Sequence, residues 1–208
     1  MLYDFLLKTY GTNKPIFVSE IASGSMTQNN IRQQVMNYAA SGKLKKYDMG
    51  IYFIPSESIF KSGSQISQND VIEKKYLISS GGRCGYISGI NFANALGITS
   101  QVPAGCEVVT NKASKDYRET TLASEKIIIR KPRAVINESN YKSLQLLDLL
   151  KDMESYSELS ESEVGEKIKS YMAKSKISFS RLEPFLPLYP DKVFRNMYMI
   201  GVLNGFSA

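Results

Sequence analysis

The first 55 residues place turn formers and apolar residues in an order that few small folds satisfy. Leu2, Phe5, Leu6 and Tyr10 follow the period of one helix face, and Gly11, Asn13 and Pro15 end that pattern. A shorter helix is expected after Ser19, with Ile21 and Ala22 turned inward and Gly24 at its end. Ser25 or Thr27 then caps a longer helix whose apolar side is Ile31, Val35, Tyr38 and Ala39, closed by Gly42. Beyond it, Leu44 and Tyr47 lead to an Asp48-Met49-Gly50 turn, and Ile51 to Ile54 form a β-rich run, which is the pattern of a hairpin. Helix, short helix, longer helix and a basic hairpin is the order of a winged helix-turn-helix.

Pro55 and the Ser-, Gly- and Gln-containing stretch after it read as a boundary, so a winged helix-turn-helix is expected over residues 1–58 and a second domain over 66–208. The second part opens with a helix from about Gln68 to Ser79, with Val71, Ile72, Tyr76 and Leu77 inward. The turn GGRCG leads into Tyr86 and Ile87, and SGINFANALG reads as a short helix capped by Ser88 and stopped by Gly97. CEVVTN and EKIIIRK are strands, with a polar connection around KASKDYRE between them. From Asn140 the pattern is helical, in YKSLQLLDLLKDM, SEVGEKIKSYMAKS and KVFRNMYMIGVLN. The fold class expected is α+β: the winged helix-turn-helix, then a mixed domain with a small sheet and a helical C-terminal part.

Composition removes more functions than it adds. The 208 residues include no histidine, which takes away the usual base near neutral pH, the histidine-activated nucleophiles and the commonest zinc ligand. Cys84 and Cys106 are the only cysteines and read as reduced, small core residues. The apolar start contains Asp4 and lacks a small-residue cleavage pattern, and no apolar run reaches bilayer length, so a cytoplasmic protein is expected. A net charge of +6 leans toward a polyanionic partner without the density of a polybasic chain.

The longer helix of the first domain carries an unusual outer face. Gln28, Asn29, Asn30, Gln33, Gln34 and Asn37 are amides, with Arg32 the single charge, whereas solvated faces usually hold Glu and Lys. Asn and Gln pair with adenine, and Arg with guanine, through two hydrogen bonds in the major groove. Thr27, Gln28, Asn29, Arg32 and Gln33 lie where a recognition helix reads bases. Lys43, Lys45 and Lys46, before the hairpin turn, suit phosphate contacts beside it. The bland alternatives are a solvated or protein-binding helix, and lysines guarding a sheet edge.

Other motifs are weaker. GGRCG lacks the Gly-Lys-Ser/Thr ending of a phosphate loop and reads as a tight turn. Gly24-Ser25 is not followed by the paired aspartates that a two-metal nucleotidyltransferase needs. Glu107, Asp116, Glu119, Glu125 and Lys126 sit too loosely around strands for an expected nuclease site. Lys112, Lys115, Arg118, Lys126, Arg130, Lys131 and Arg133 are better read as a second nucleic-acid or partner surface.

Gly50 and Tyr52 in the hairpin, Tyr86-Ile87-Ser88 at the head of a short helix ending in Leu96-Gly97-Ile98, and the run Leu146 to Leu150 together resemble the AbiEi antitoxin family of type IV (abortive infection) toxin-antitoxin systems. The resemblance covers most of the chain. It implies a non-enzymatic transcriptional regulator without cofactor or metal, which binds double-stranded operator DNA at inverted repeats and represses its own operon. It also implies antagonism of a nucleotidyltransferase-like toxin without a stable complex, by the second domain. A winged-helix adaptor that binds protein, a simple repressor without an antitoxin role, and a magnesium-dependent nuclease using Glu107 or Glu125 are the alternatives.

Overall fold

The computed structural model describes residues 1–22, 24, 26–57 and 64–203. It is a mixed α/β structure with eight α-helices and small sheets among the described residues. The chain divides into two compact units, Met1–Lys75 and Tyr76–Ala208.

In the first unit, α1 (Leu2–Tyr10) ends where Gly11 takes φ 72°, a conformation glycine adopts without steric cost. The expected second helix is a single 3-10 turn, Val18–Glu20, preceded by β1 (Ile16–Phe17). Pairing explains the difference: Ile16 sits opposite Tyr52 and Phe17 opposite Ile51, so the chain is committed to a sheet up to Val18, whose N–H donates to Gly50 O at 3.0 Å. Ala22 is exposed, while Ile21 is buried as expected. Next come α2 (Gln28–Ala40) and the hairpin of β2 (Lys45–Asp48) and β3 (Ile51–Phe53), giving an antiparallel sheet in the order β1-β3-β2. Leu2, Leu6, Ile16, Val18, Ile21, Ile31, Val35, Leu44 and Ile54 form one core.

α3 (Gln68–Ile72) is shorter than the sequence pattern suggests, passing into a π-helical turn, Glu73–Leu77. It packs with the first unit through polar ties: Lys14 Nζ lies 2.8 Å from Asp70 Oδ2, and Lys74 Nζ donates to Pro15 O at 2.9 Å. The compact first unit therefore extends past residue 58, the end expected from the polar stretch.

In the second unit a small hairpin, β4 (Ile78–Ser79) and β5 (Gly82–Arg83), precedes β6 (Gly85–Ile87) and α4 (Gly89–Ala95). The main sheet runs β6-β7-β9-β8, where β7 is Cys106–Thr110, β8 Tyr117–Leu122 and β9 Glu125–Arg130; only β7 and β9 are parallel. The sequence around KASKDYRE, expected as a connection, supplies β8. Its polarity is that of an edge strand, and Ala123 and Ser124, at φ 47° and 76°, make the two-residue turn that sets its register against β9.

Four helices complete the unit: α5 (Tyr141–Asp152), α6 (Glu161–Ser175), α7 (Phe179–Leu182) and α8 (Lys192–Met199). α5 presents Leu144, Leu146, Leu147, Leu149 and Leu150 to a core shared with Tyr86, Val109, Val164, Ile168, Val193 and Met197. Apolar residues all round a helix mean burial on several sides, and α5 is the central helix of this unit. α6 starts on a full capping box, in which Ser160 and Glu163 exchange side-chain-to-backbone hydrogen bonds.

Candidate nucleic-acid interface

Burial of Ile31 and Val35, one turn apart, fixes the rotation of α2. The opposite side then presents Asn29, Arg32, Gln33, Met36 and Asn37 to solvent. Thr27 is the N-cap, its Oγ1 accepting from Asn30 N at 3.3 Å; Ser25, the other candidate, lies outside the described residues. Gln28 points back along the chain and donates to Ile21 O at 3.1 Å. Thr27 and Gln28 therefore hold the helix start, and the outward stripe begins at Asn29.

The amides are organised by one another. Gln34 Nε2 donates to Asn30 Oδ1 at 2.8 Å, Tyr38 OH to Gln34 Oε1 at 3.5 Å, and Gln33 Nε2 to Asn37 Oδ1 at 3.2 Å. These are pairs one helical turn apart, which compensate for the modest helix propensity of asparagine. Asn29 and Arg32 have no side-chain hydrogen bond or ion pair among the described residues. Gln34, half-buried, is turned toward Met26 rather than outward.

The three lysines do not form a single row. Lys43 lies over the rings of Tyr3 and Tyr38, 5.5 and 6.0 Å from their centres. Lys45 and Lys46 are consecutive on β2 and so take opposite faces; Lys45 Nζ donates to Ser64 O at 3.3 Å, and Lys46 is exposed. Sequence reasoning missed two methionines beside this face: Met36 is 59% exposed and Met49, at the hairpin tip, 86%. Together with Phe17, Val18, Arg32 and Tyr52 they line an open groove of about 420 Å³. The signal was present, since Met36 stands one turn from Arg32 on the same face.

The motifs of the second unit separate in space. The turn at GGRCG is occupied by protein: Arg83 N–H donates to Glu138 Oε1 at 3.0 Å, a carboxylate standing where a phosphate would have to sit. Sheet register puts Glu107 on the face bearing Ile128 and Arg130, and Glu125 on the other, so the two nuclease candidates do not converge. Glu119 is 2.9 Å from Lys126 and bonded by Tyr117 OH. Of the basic group, Lys112 donates to Ile78 O, and Arg118 and Arg130 fall on opposite faces, so it is not one surface. Cys84 and Cys106 are free thiols, and burial pushes the Cys106 thiol up to about 11.

On the Glu107 face, Tyr86 OH donates to Asp148 Oδ2 at 2.6 Å, and Arg130 Nε lies 2.9 Å from Glu107 Oε1. Burial raises both carboxyls above their ordinary range, with Tyr86 and Lys151 opposing the rise at Asp148, and Arg130 and Lys151 opposing it at Glu107. A raised folded-state value means that, as pH climbs, the unfolded chain loses its proton first. Stability from these groups is therefore full below the ordinary carboxylate range and lost as pH rises through the raised values. Asp148→Asn is expected to remove part of that loss, so that its melting temperature gains on the wild type between about pH 4 and pH 7. A constant offset at both pH values would contradict this.

No family model matches the chain, and no curated protein matches it. No helix among the described residues is long and apolar enough to cross a membrane.

Proposed function

We propose that the first unit is a winged helix-turn-helix that binds double-stranded DNA through α2, and that the chain is a cytoplasmic transcriptional regulator and antitoxin of the AbiEi kind. It represses its own toxin-antitoxin operon and opposes a nucleotidyltransferase-like toxin, without enzymatic activity of its own. The observation carrying the reading is the outward stripe of Asn29, Arg32 and Gln33 on a helix that is followed by the β2–β3 hairpin and held by the sheet order β1-β3-β2. Donors and acceptors facing solvent from a rigid helix are what base-edge recognition requires; Asn29 and Arg32 make no side-chain hydrogen bond among the described residues, and Gln33 is held by Asn37. Lys46 and Lys43 supply cations for flanking phosphates.

The test is binding of the full chain to the DNA upstream of its own gene and to a scrambled duplex, across a salt series. Preference for the upstream DNA is expected, by a factor of about a thousand, with both affinities falling as salt rises. Equal, weak binding to the two duplexes would remove operator recognition from the reading. Growth rescue on co-expression with the product of a neighbouring nucleotidyltransferase-like gene tests the antitoxin part.

The groove containing Met36 and Met49 favours a second reading, in which the same unit is a protein-interaction adaptor. Exposed methionines adapt to apolar partners of varied shape. Salt-insensitive capture of a neighbouring gene product, with no duplex binding, is its expected signature.

A further inference from the structure

The α5 side of the main sheet holds a polar, partly open cleft of about 390 Å³, lined by residues of the second unit alone. Glu107 reaches it from β7, Arg130 from the end of β9, Lys131 and Arg133 from the segment after β9, and Asp148 and Lys151 from α5. Asp116 completes the charged lining. These are residues distant in sequence whose charges the fold brings to one concavity, within the size range of small-molecule sites.

The charges are only partly used up: Arg130 pairs with Glu107 and lies over the Tyr117 ring, and Lys151 pairs with Asp152 at 3.0 Å, outside the lining. Lys131 and Asp116 have no side-chain ion pair among the described residues, and Arg130 Nε, although close to Glu107, makes no directed hydrogen bond. Arg133 spends one donor on Leu188 O at 2.7 Å and stacks over Tyr189. A closed structural network would have paired Lys131 and Asp116. The arrangement also has a polarity: Lys131 and Arg133 are exposed, whereas the Asp148 carboxylate, bonded by Tyr86, is half-buried on α5.

We infer that this cavity binds a phosphorylated small molecule of about the size of a nucleoside monophosphate, with its phosphate on Arg130, Lys131 and Arg133 and its hydroxyl or amino donors on Glu107 and Asp148. Guanidinium and ammonium groups at the mouth match the charge and acceptor oxygens of a phosphate monoester. Carboxylates accept hydrogen bonds from hydroxyl and amino groups, so the deep end selects a donor-rich body. A cavity of this volume does not admit a duplex, which keeps the site separate from the α2 face.

The test is titration calorimetry on the full chain with AMP, ribose 5-phosphate, inorganic phosphate and adenosine. Saturable binding of one or both phosphate esters is expected, with adenosine and inorganic phosphate at least tenfold weaker. Lys131→Gln, an exposed change that spares the fold, is expected to weaken the ester by roughly tenfold, and Glu107→Gln to weaken it as well. Arg32→Gln on α2 should leave it unchanged. The inference is overturned if neither ester binds at millimolar concentration, or if inorganic phosphate binds as tightly as the esters, which would mark a plain anion site. It is equally overturned if Lys131→Gln has no effect while Arg32→Gln abolishes binding.

Discussion

Replacing Gly165 with alanine is expected to cost the second unit about 3 kcal/mol, through overpacking that neither neighbour can relieve. Gly165 is buried in α6, and a Cβ built on it would come closer to the carbonyl oxygen of Ile200 than the 3.0 Å that such atoms essentially never breach. The obstacle is backbone, not the tip of a flexible side chain, and Ile200 is itself a buried core residue just beyond α8. Relief would require α6 to move away from the end of α8, opening the shared contacts of Val164, Ile168, Met197 and Val202. A fall of roughly 10 °C in melting temperature is the expected reading in a thermal scan. Gly24→Ala is the contrast: φ there is +53° but nothing lies within 4 Å, so only the left-handed backbone penalty, about 1 kcal/mol, applies. If the two variants melted alike, the close approach of α6 to Ile200 would be wrong.

That glycine illustrates what the sequence conveyed and what it withheld. Gly165 interrupts the helical pattern SEVGEKIKSYMAKS without breaking it, and its reason lies across space, in Ile200, where no local pattern can show it. Elements with strong local punctuation were legible: α1 with Gly11 after it, α2 with Thr27 before it, the hairpin around Gly50, and α5 with its leucines. β1 and β8 were not. Two residues, Ile16 and Phe17, are too few to show a period, and β8 is polar because it is an edge; both exist by virtue of long-range pairing, with β3 and β9.

The candidate site shows the same division. Periodicity located the amide face and its orientation, because Ile31 and Val35 set the rotation. It gave no means of separating amides that hold the helix from those that face outward. Gln28 looks like Asn29 in the sequence, but a hydrogen bond to a backbone carbonyl seven residues upstream makes one an anchor and leaves the other outward. The lysine run separates for a related reason: alternation along β2 sends neighbours to opposite faces. Likewise Asp148 and Lys151 gave no sequence signal of sharing a cavity with Glu107, since a helix and a strand meet there through the fold.

The division between anchors and outward residues sharpens what mutation of α2 should do. The combined change Asn29→Ala, Arg32→Ala and Gln33→Ala is expected to weaken binding to the upstream DNA by about a thousandfold, since each base-reading side chain contributes roughly 1 to 3 kcal/mol of discrimination. Binding to a scrambled duplex should fall by much less, about tenfold, because it loses one phosphate-capable cation, Arg32. None of the three side chains is in the core, so the melting temperature should stay near that of the wild type. Thr27→Ala should behave in the opposite way: loss of the cap costs about 1 kcal/mol of stability and lowers both affinities only as far as the start of α2 frays. Lys46→Ala should weaken both duplexes alike and flatten the salt dependence by about one counterion. Equal losses on both duplexes from the triple variant would make α2 a positioning helix. An unchanged affinity for both would move recognition off this face and leave the methionine groove, with its protein partner, as the better account of the first unit.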